Sequence, residues 1–172
     1  MDCLDLGGCD LDDACVDELL ESFQGLHTLR LANCPTLNPR TVSKWTHKLG
    51  FLTDLDLQNT KNDMAPANTR AFQDLLSDCP LLVTVNFSGC LGVTDAAVLQ
   101  VADFCEFLQS LNLRGCKSIT GMGFTFLKQA TSLTRLKVGG CDQISERAFA
   151  DTIVGLSNLT KLDASDLDGL SD

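Results

Sequence analysis

The 172-residue sequence predicts an α/β solenoid, with a parallel sheet on its concave face, helices on its convex face and about 6.5 copies of one unit. Three observations predict it. A leucine phrase returns seven times, its middle apolar residue at Leu4, Leu29, Leu55, Val85, Leu111, Leu136 and Leu162, with spacings of 25, 26, 30, 26, 25 and 26. A fixed period between about 20 and 50 residues marks stacked repeats. A polar residue suited to capping a helix follows the first six phrases, at Asp12, Asn38, Asn68, Thr94, Thr120 and Ser145. Apolar residues then tend to fall four, seven, eight and eleven places on, which is one stripe of an α-helix.

Each unit opens with a strand. In Leu26-His27-Thr28-Leu29-Arg30-Leu31 the apolar residues closing the phrase alternate with polar ones, the period of a strand with one buried face. Gly7, Gly8, Gly89, Gly115, Gly139 and Gly140 follow the strands, where the chain must turn with little side-chain bulk. The first helix is expected to bury Val16, Leu19, Leu20 and Phe23, and the second Val42, Trp45 and Leu49, with Pro39 at the first helical position. The third offers Phe72, Leu75, Leu76 and Cys79, and the fourth Val98, Val101, Ala102 and Cys105. The fifth keeps Phe124 and Leu127, and the sixth Phe149, Ile153 and Leu156. One strand and one helix cannot bury these residues alone, so the units must stack. Unit three departs from the pattern, with Thr60 at the cysteine position and extra residues around Lys61 to Pro66 that should form a loop. The seventh unit stops at Asp172 before a helix could form, and Met1 leaves no room for a cap. Residues 1–172 are therefore expected to be one repeat domain, either a piece of a longer chain or covered at its ends by neighbouring subunits.

Cys79-Pro80-Leu81-Leu82-Val83-Thr84-Val85-Asn86-Phe87-Ser88-Gly89-Cys90-Leu91-Gly92-Val93-Thr94-Asp95 resembles the cysteine-containing leucine-rich repeat of F-box/LRR proteins along its whole length. Cys105 through Thr120 is nearly as close, Cys141 through Glu146 is a weaker match, and the resemblance extends over essentially the entire chain. It implies a leucine-rich-repeat horseshoe and a binding role, in its sharpest form substrate recognition in an SCF-type ubiquitin ligase receptor. The F-box that precedes the repeats in such receptors is not among these residues.

Of nine cysteines, Cys9, Cys34, Cys90, Cys116 and Cys141 recur at the strand exit and are expected to stack as a buried ladder. Cys79 and Cys105 close helices on the buried side, whereas Cys3 and Cys15 lie outside the pattern. Free cysteine serves there as a small hydrophobe. Zinc would want close pairs such as Cys-x-x-Cys, and none is present. A disulfide framework suits small secreted domains rather than a repeating core with an odd thiol count. The expectation is a reducing compartment, cytoplasmic or nuclear.

The balance of 13 basic against 23 acidic residues gives a net charge of −10. Nucleic acid and anionic membrane are poor partners for such a surface, because both are bound largely through cations. No apolar run approaches the roughly 18 residues of a membrane span, and the N-terminus lacks a basic-then-apolar signal. The expected partner is another protein.

Strand alternation places two columns on the concave face. One is Asp5, Arg30, Asp56, Asn86, Asn112, Lys137 and Asp163; the other is Cys3, Thr28, Asp54, Thr84, Ser110, Arg135 and Lys161. Neighbouring strands lie about 4.8 Å apart, so Arg114, Arg135, Lys137 and Lys161 are expected to form a basic cluster. Asp54 and Asp56 form an acidic one. Two readings stand open: these charges face a partner, or they pair as solvated rungs, Lys137 with Asp163 and Arg30 with Asp5 and Asp56. Large aromatics are missing from these columns, which points to a polar interface.

Catalysis has little support. The two histidines, His27 and His47, lie apart in the stack; there is no tyrosine, no phosphate-cradling loop and no Ser/His/Asp arrangement. Asp12-Asp13 reads as a helix start. The sequence points to no enzyme, metal or cofactor. It supports an interaction scaffold first, a structural subunit of a large assembly second and a small-anion sensor third.

Overall fold

The computed structural model describes residues 2–11, 13–23, 25–37, 48–60 and 66–167. Its strands are β1 (Cys3–Asp5), β2 (Thr28–Arg30), β3 (Asp54–Asp56), β4 (Thr84–Asn86), β5 (Ser110–Asn112), β6 (Arg135–Lys137) and β7 (Lys161–Asp163). They form one parallel sheet in the order β1 to β7. Leu4, Leu29, Leu55, Val85, Leu111, Leu136 and Leu162 are partners in register from strand to strand. The described helices are α1 (Asp13–Ser22), α2 (Pro66–Asp78), α3 (Asp95–Phe104), α4 (Gly121–Phe126, continued by a 3-10 turn at Leu127–Gln129) and α5 (Glu146–Gly155). The helix expected around Val42 and Trp45, the caps Asp12 and Asn38, and residues 61–65 of the loop expected around Lys61 to Pro66 lie outside the described residues, whereas Pro66 opens α2.

The core lies between sheet and helices. Leu29, Leu55, Val85, Leu111 and Leu136 point into it and are essentially fully buried, against Leu20, Leu75, Leu76, Val98, Val101, Phe124 and Leu127 from the helices. Phe124 and Phe149 stack with ring centroids 5.9 Å apart, joining α4 to α5. At β7, by contrast, Leu162 is 42% exposed.

One backbone position explains how each strand turns. Gly8, Asn33, Asn59, Gly89, Gly115, Gly140 and Asp166, each standing just before the cysteine position, all have φ between 51° and 75°. Only Gly, Asn and Asp visit this left-handed region at small cost. Gly7 and Gly139 lie outside it, so their role is to leave room. A Cβ on Gly139 would stand 2.5 Å from the Ser165 carbonyl oxygen.

Three local expectations need correction. Helix α2 begins at Pro66, so Asn68 lies in its first turn instead of capping it; proline is preset for a helix start and has no N–H to lose. Thr94 has extended cap geometry, yet its side chain makes no cap bond. The neighbouring Asp95 carboxylate instead reaches the next repeat, accepting from Thr120 N at 2.7 Å and Thr120 Oγ1 at 2.6 Å. Gly123 makes this possible, because a Cβ there would collide with Asp95. Gly121 and Gly123 also weaken the helix, which tightens into a 3-10 turn after six residues instead of completing three α-turns. Thr120 and Ser145 do cap, accepting from Met122 N and Ala148 N.

Candidate functional site: the inner face of the sheet

Both predicted columns stand in register on the face turned away from the helices. In the first, the acid and amide side chains also shape the backbone. Asp5, Asp56, Asn86, Asn112 and Asp163 each accept, through Oδ1, the N–H two residues on, at 3.0 to 3.2 Å. Such local bonds hold the chain in its turn as the strand ends. Arg30 and Lys137 are the two members of the column that cannot do this.

The two ends of the face differ in charge. Near β1, Arg30 Nη1 lies 3.5 Å from Asp5 Oδ2, one of the two pairings expected of it; an ion pair with Asp56 is not found among the described residues. Asp54 accepts from Thr53 Oγ1 at 2.9 Å. At the other end Arg135, Lys137 and Lys161 are exposed, and none has an ion pair among the described residues. They rim a depression of about 360 Å³ lined also by Thr84, Ser110, Asn112 and Asp163.

Arg114 does not join them as a free cation. Its guanidinium spans the intervening repeat, with Nη1 3.4 Å from Asp163 Oδ2 and donating to Ser165 Oγ at 2.9 Å, and Nη2 2.6 Å from Asp166 Oδ2. Gly139 lies beneath this crossing, where a Cβ would approach Nη1 to 3.4 Å. The ion pair described for Asp163 is thus with Arg114, not Lys137. Hydrogen bonds from Ser165 to Asp163, helped by Arg114 and Lys137, hold its carboxyl below the ordinary carboxylate range.

On the opposite, buried side the thiols form the expected ladder from Cys34 onward. Cys34, Cys90, Cys116 and Cys141 donate to the carbonyls of Leu6, Leu57, Phe87 and Leu113 at 3.0 to 3.2 Å, each carbonyl belonging to the previous repeat. Burial pushes Cys79 and Cys105 up to about 12 and Cys141 to about 11, and Cys116 higher still. Cys9 breaks the expectation. It is exposed, and among the described residues no strand stands before β1 to offer it a carbonyl. Cys3 and Cys15 are exposed as well.

Sequence reasoning missed an apolar rim. Phe51, Leu81 and Phe107 occupy the same position in three successive units, just before the first leucine of each phrase, and are 60%, 39% and 53% exposed. Two exposed aromatics and a leucine thus stand outside the strand columns, Phe51 lining a hollow with Leu20 and Glu21 of α1 and with Phe23. The available signal was this column, which changes to Ser132 and Asn158 in the next two units. His27 is exposed beside β2, and His47 lies outside the described residues. Among the described residues no group of three or more His, Cys, Asp or Glu stands close enough to hold a metal, and no helix is long and apolar enough to cross a membrane.

No protein-family model matches the chain. It is 30% identical over 157 residues to F-box/LRR-repeat protein 4 of Bos taurus, covering 88% of this chain and 24% of that protein. It is 30% identical over 123 residues to lysine-specific demethylase 2A of Xenopus tropicalis, covering 69% of this chain and 10% of that protein. The chain thus spans at most about a quarter of the length of these relatives. Among solved structures it is similar to a chain of the yeast Rad7 and Elc1 complex, with a TM-score of 0.49 and 15% identity, covering 99% of this chain and 58% of that one. The chain is a leucine-rich-repeat solenoid, distantly homologous to the repeat regions of the two relatives.

Proposed function

We propose that this leucine-rich-repeat chain is a non-catalytic interaction scaffold, and that it presents the inner face of its sheet to another protein. The observation that carries this reading is the contrast within each strand: the residues facing the helices repeat as leucine and valine, while those facing outward change freely from unit to unit. Arg30, Asp54, Asp56, Asn86, Asn112, Arg135, Lys137, Lys161 and Asp163 then form the contact surface, with Arg114 holding the last repeat in place. Phe51, Leu81 and Phe107 add exposed apolar surface just ahead of three strands. In its sharper form, the partner is a substrate delivered to an SCF-type ubiquitin ligase, which the likeness to F-box/LRR-repeat protein 4 supports. The buried free thiols suit a reducing compartment.

Affinity capture from cells tests the reading. Arg135→Glu with Lys137→Glu is expected to lose the captured partner while Leu159→Ser and Leu162→Ser retain it. The structural-subunit alternative, which the exposure of Leu162 favours, gives the reverse pattern. Recovery of ligase subunits through the full-length protein would support the sharper form.

A further inference from the structure

We infer that the β5–β7 end of the inner face seats an oxyanion, the carboxylate or phosphate of a side chain on an extended segment of the partner. This rests on the inner-face reading and adds the chemistry of what is recognised there.

The first argument is register. Arg135 and Lys161 are direct cross-strand partners, and both are exposed. Like charges directly opposite one another destabilise a sheet. Lys137 adds a third cation two residues along β6. The chain as a whole has 23 acidic residues against 13 basic ones, so a square of sheet that gathers three cations runs against its composition. Nothing in the fold requires them, since Thr84, Ser110 and Asn112 serve the equivalent positions in β4 and β5.

The second argument is that the local counter-charge is already engaged. Asp163 occupies the fourth corner of the square, opposite Lys137. Its Oδ1 accepts from Ser165 N at 3.2 Å and Ser165 Oγ at 2.7 Å, and its Oδ2 faces Arg114 at 3.4 Å. Arg114, carried across Gly139, is shared between Asp163 and Asp166, and the square itself sets three cations against the one carboxylate of Asp163. At the other end of the sheet Arg30 has Asp5 beside it, so the same column there is balanced.

The third argument is shape. The three cations stand around a depression of about 360 Å³ whose lining includes the hydroxyls of Thr84 and Ser110 and the amide of Asn112. Asn112 Oδ1 already accepts from Arg114 N, which leaves the amide NH₂ as its free donor. The lining also holds Leu111, Leu136, Leu162 and the Asp163 carboxylate, so the donors (ammonium, guanidinium, hydroxyl and amide) are set around a partly apolar floor. Because single exposed ion pairs contribute little, useful affinity needs a segment that lies across β5 to β7 and presents more than one acidic group.

The test uses the purified chain and dye-labelled peptides, read by fluorescence anisotropy. The probes are a polyglutamate peptide, a phosphoserine-bearing peptide of otherwise neutral sequence, and a glycine-serine peptide. At least one acidic probe is expected to bind more tightly than the neutral one, and more weakly as salt rises; the two acidic probes separate carboxylate from phosphate. Arg135→Glu should weaken that binding by about tenfold or more and leave Tm unchanged or slightly raised, because it replaces a repulsive cross-strand pair with an attractive one. Arg147→Glu, exposed on α5 and away from the sheet, should leave probe affinity unchanged. Acidic probes that bind no better than the neutral one, or an affinity indifferent to Arg135→Glu, would overturn the inference. A partner that contacts the inner face without any acidic-probe binding would sink the oxyanion seat and spare the scaffold. Acidic probes that bind, with the partner on the helices, would do the opposite.

Discussion

The two faces of the same seven strands obey different rules. Facing the helices, the middle column reads Leu, Leu, Leu, Val, Leu, Leu, Leu, and its members from β2 to β6 are buried to within about one per cent. Facing outward, the flanking columns change from Cys3 to Thr28 to Asp54, and from Arg135 to Lys161. The inner column is constrained because every leucine must fit both its own helix and the repeat on either side. The outward columns meet solvent, so their chemistry is free to serve something other than folding. The thiols sharpen the contrast: Cys116 and Cys9 hold the same place in their units, yet one is buried against the previous repeat and the other is open to solvent.

The largest expected effect follows from that pair. Cys116→Asp puts an unpaired charge where a thiol donates to the Phe87 carbonyl, and should cost about 3 kcal/mol or more. Cys9→Asp should change stability by no more than about 0.5 kcal/mol. Equilibrium denaturation of the two variants side by side would break the comparison if they behaved alike.

Alkaline titration addresses the thiols together. An unfolded thiol loses its proton near pH 9.0, whereas Cys79 and Cys105 hold theirs to about 12 and Cys141 to about 11. In that interval the unfolded state binds fewer protons, so stability should fall as pH rises, by about 1.4 kcal/mol per pH unit for each such thiol. Thiol labelling at neutral pH should be fast at Cys3, Cys9 and Cys15 and slow at the six buried positions.

Gly139→Ala should cost about 1 to 3 kcal/mol, because the new methyl group meets the Ser165 carbonyl and crowds the Arg114 crossing. Arg114→Lys, which cannot bridge Asp163, Ser165 and Asp166 at once, should give a smaller loss of the same kind. The smallest expected effect belongs to Arg135→Glu, within about 0.5 kcal/mol of the parent chain and, if anything, more stable.

Strand register was legible in the sequence to the residue, because a buried face allows no slip and the leucine spacing counts the repeats directly. The two outward columns followed from alternation alone. What escaped depended on reach between units. Nothing local to Arg114 announces that it spans Gly139 to meet Asp166, or that Asp95 would bond Thr120 in the next repeat. Periodicity also treats all copies as equal, so it gives Cys9 the same place as Cys34 and Cys116 and carries no signal of its exposure. Phe51, Leu81 and Phe107 carry no strand or helix periodicity of their own, because their column lies one residue before the phrase.

The claim that function lies on the outward face of the strands is tested most directly by photo-crosslinking from two positions in the cell. One photoreactive residue replaces Ser110, inside the depression between β4 and β7, and the other replaces Val154, exposed on α5. Adducts with a single partner protein from position 110, and none from position 154, are the expected result. Adducts from position 154 alone would contradict the account.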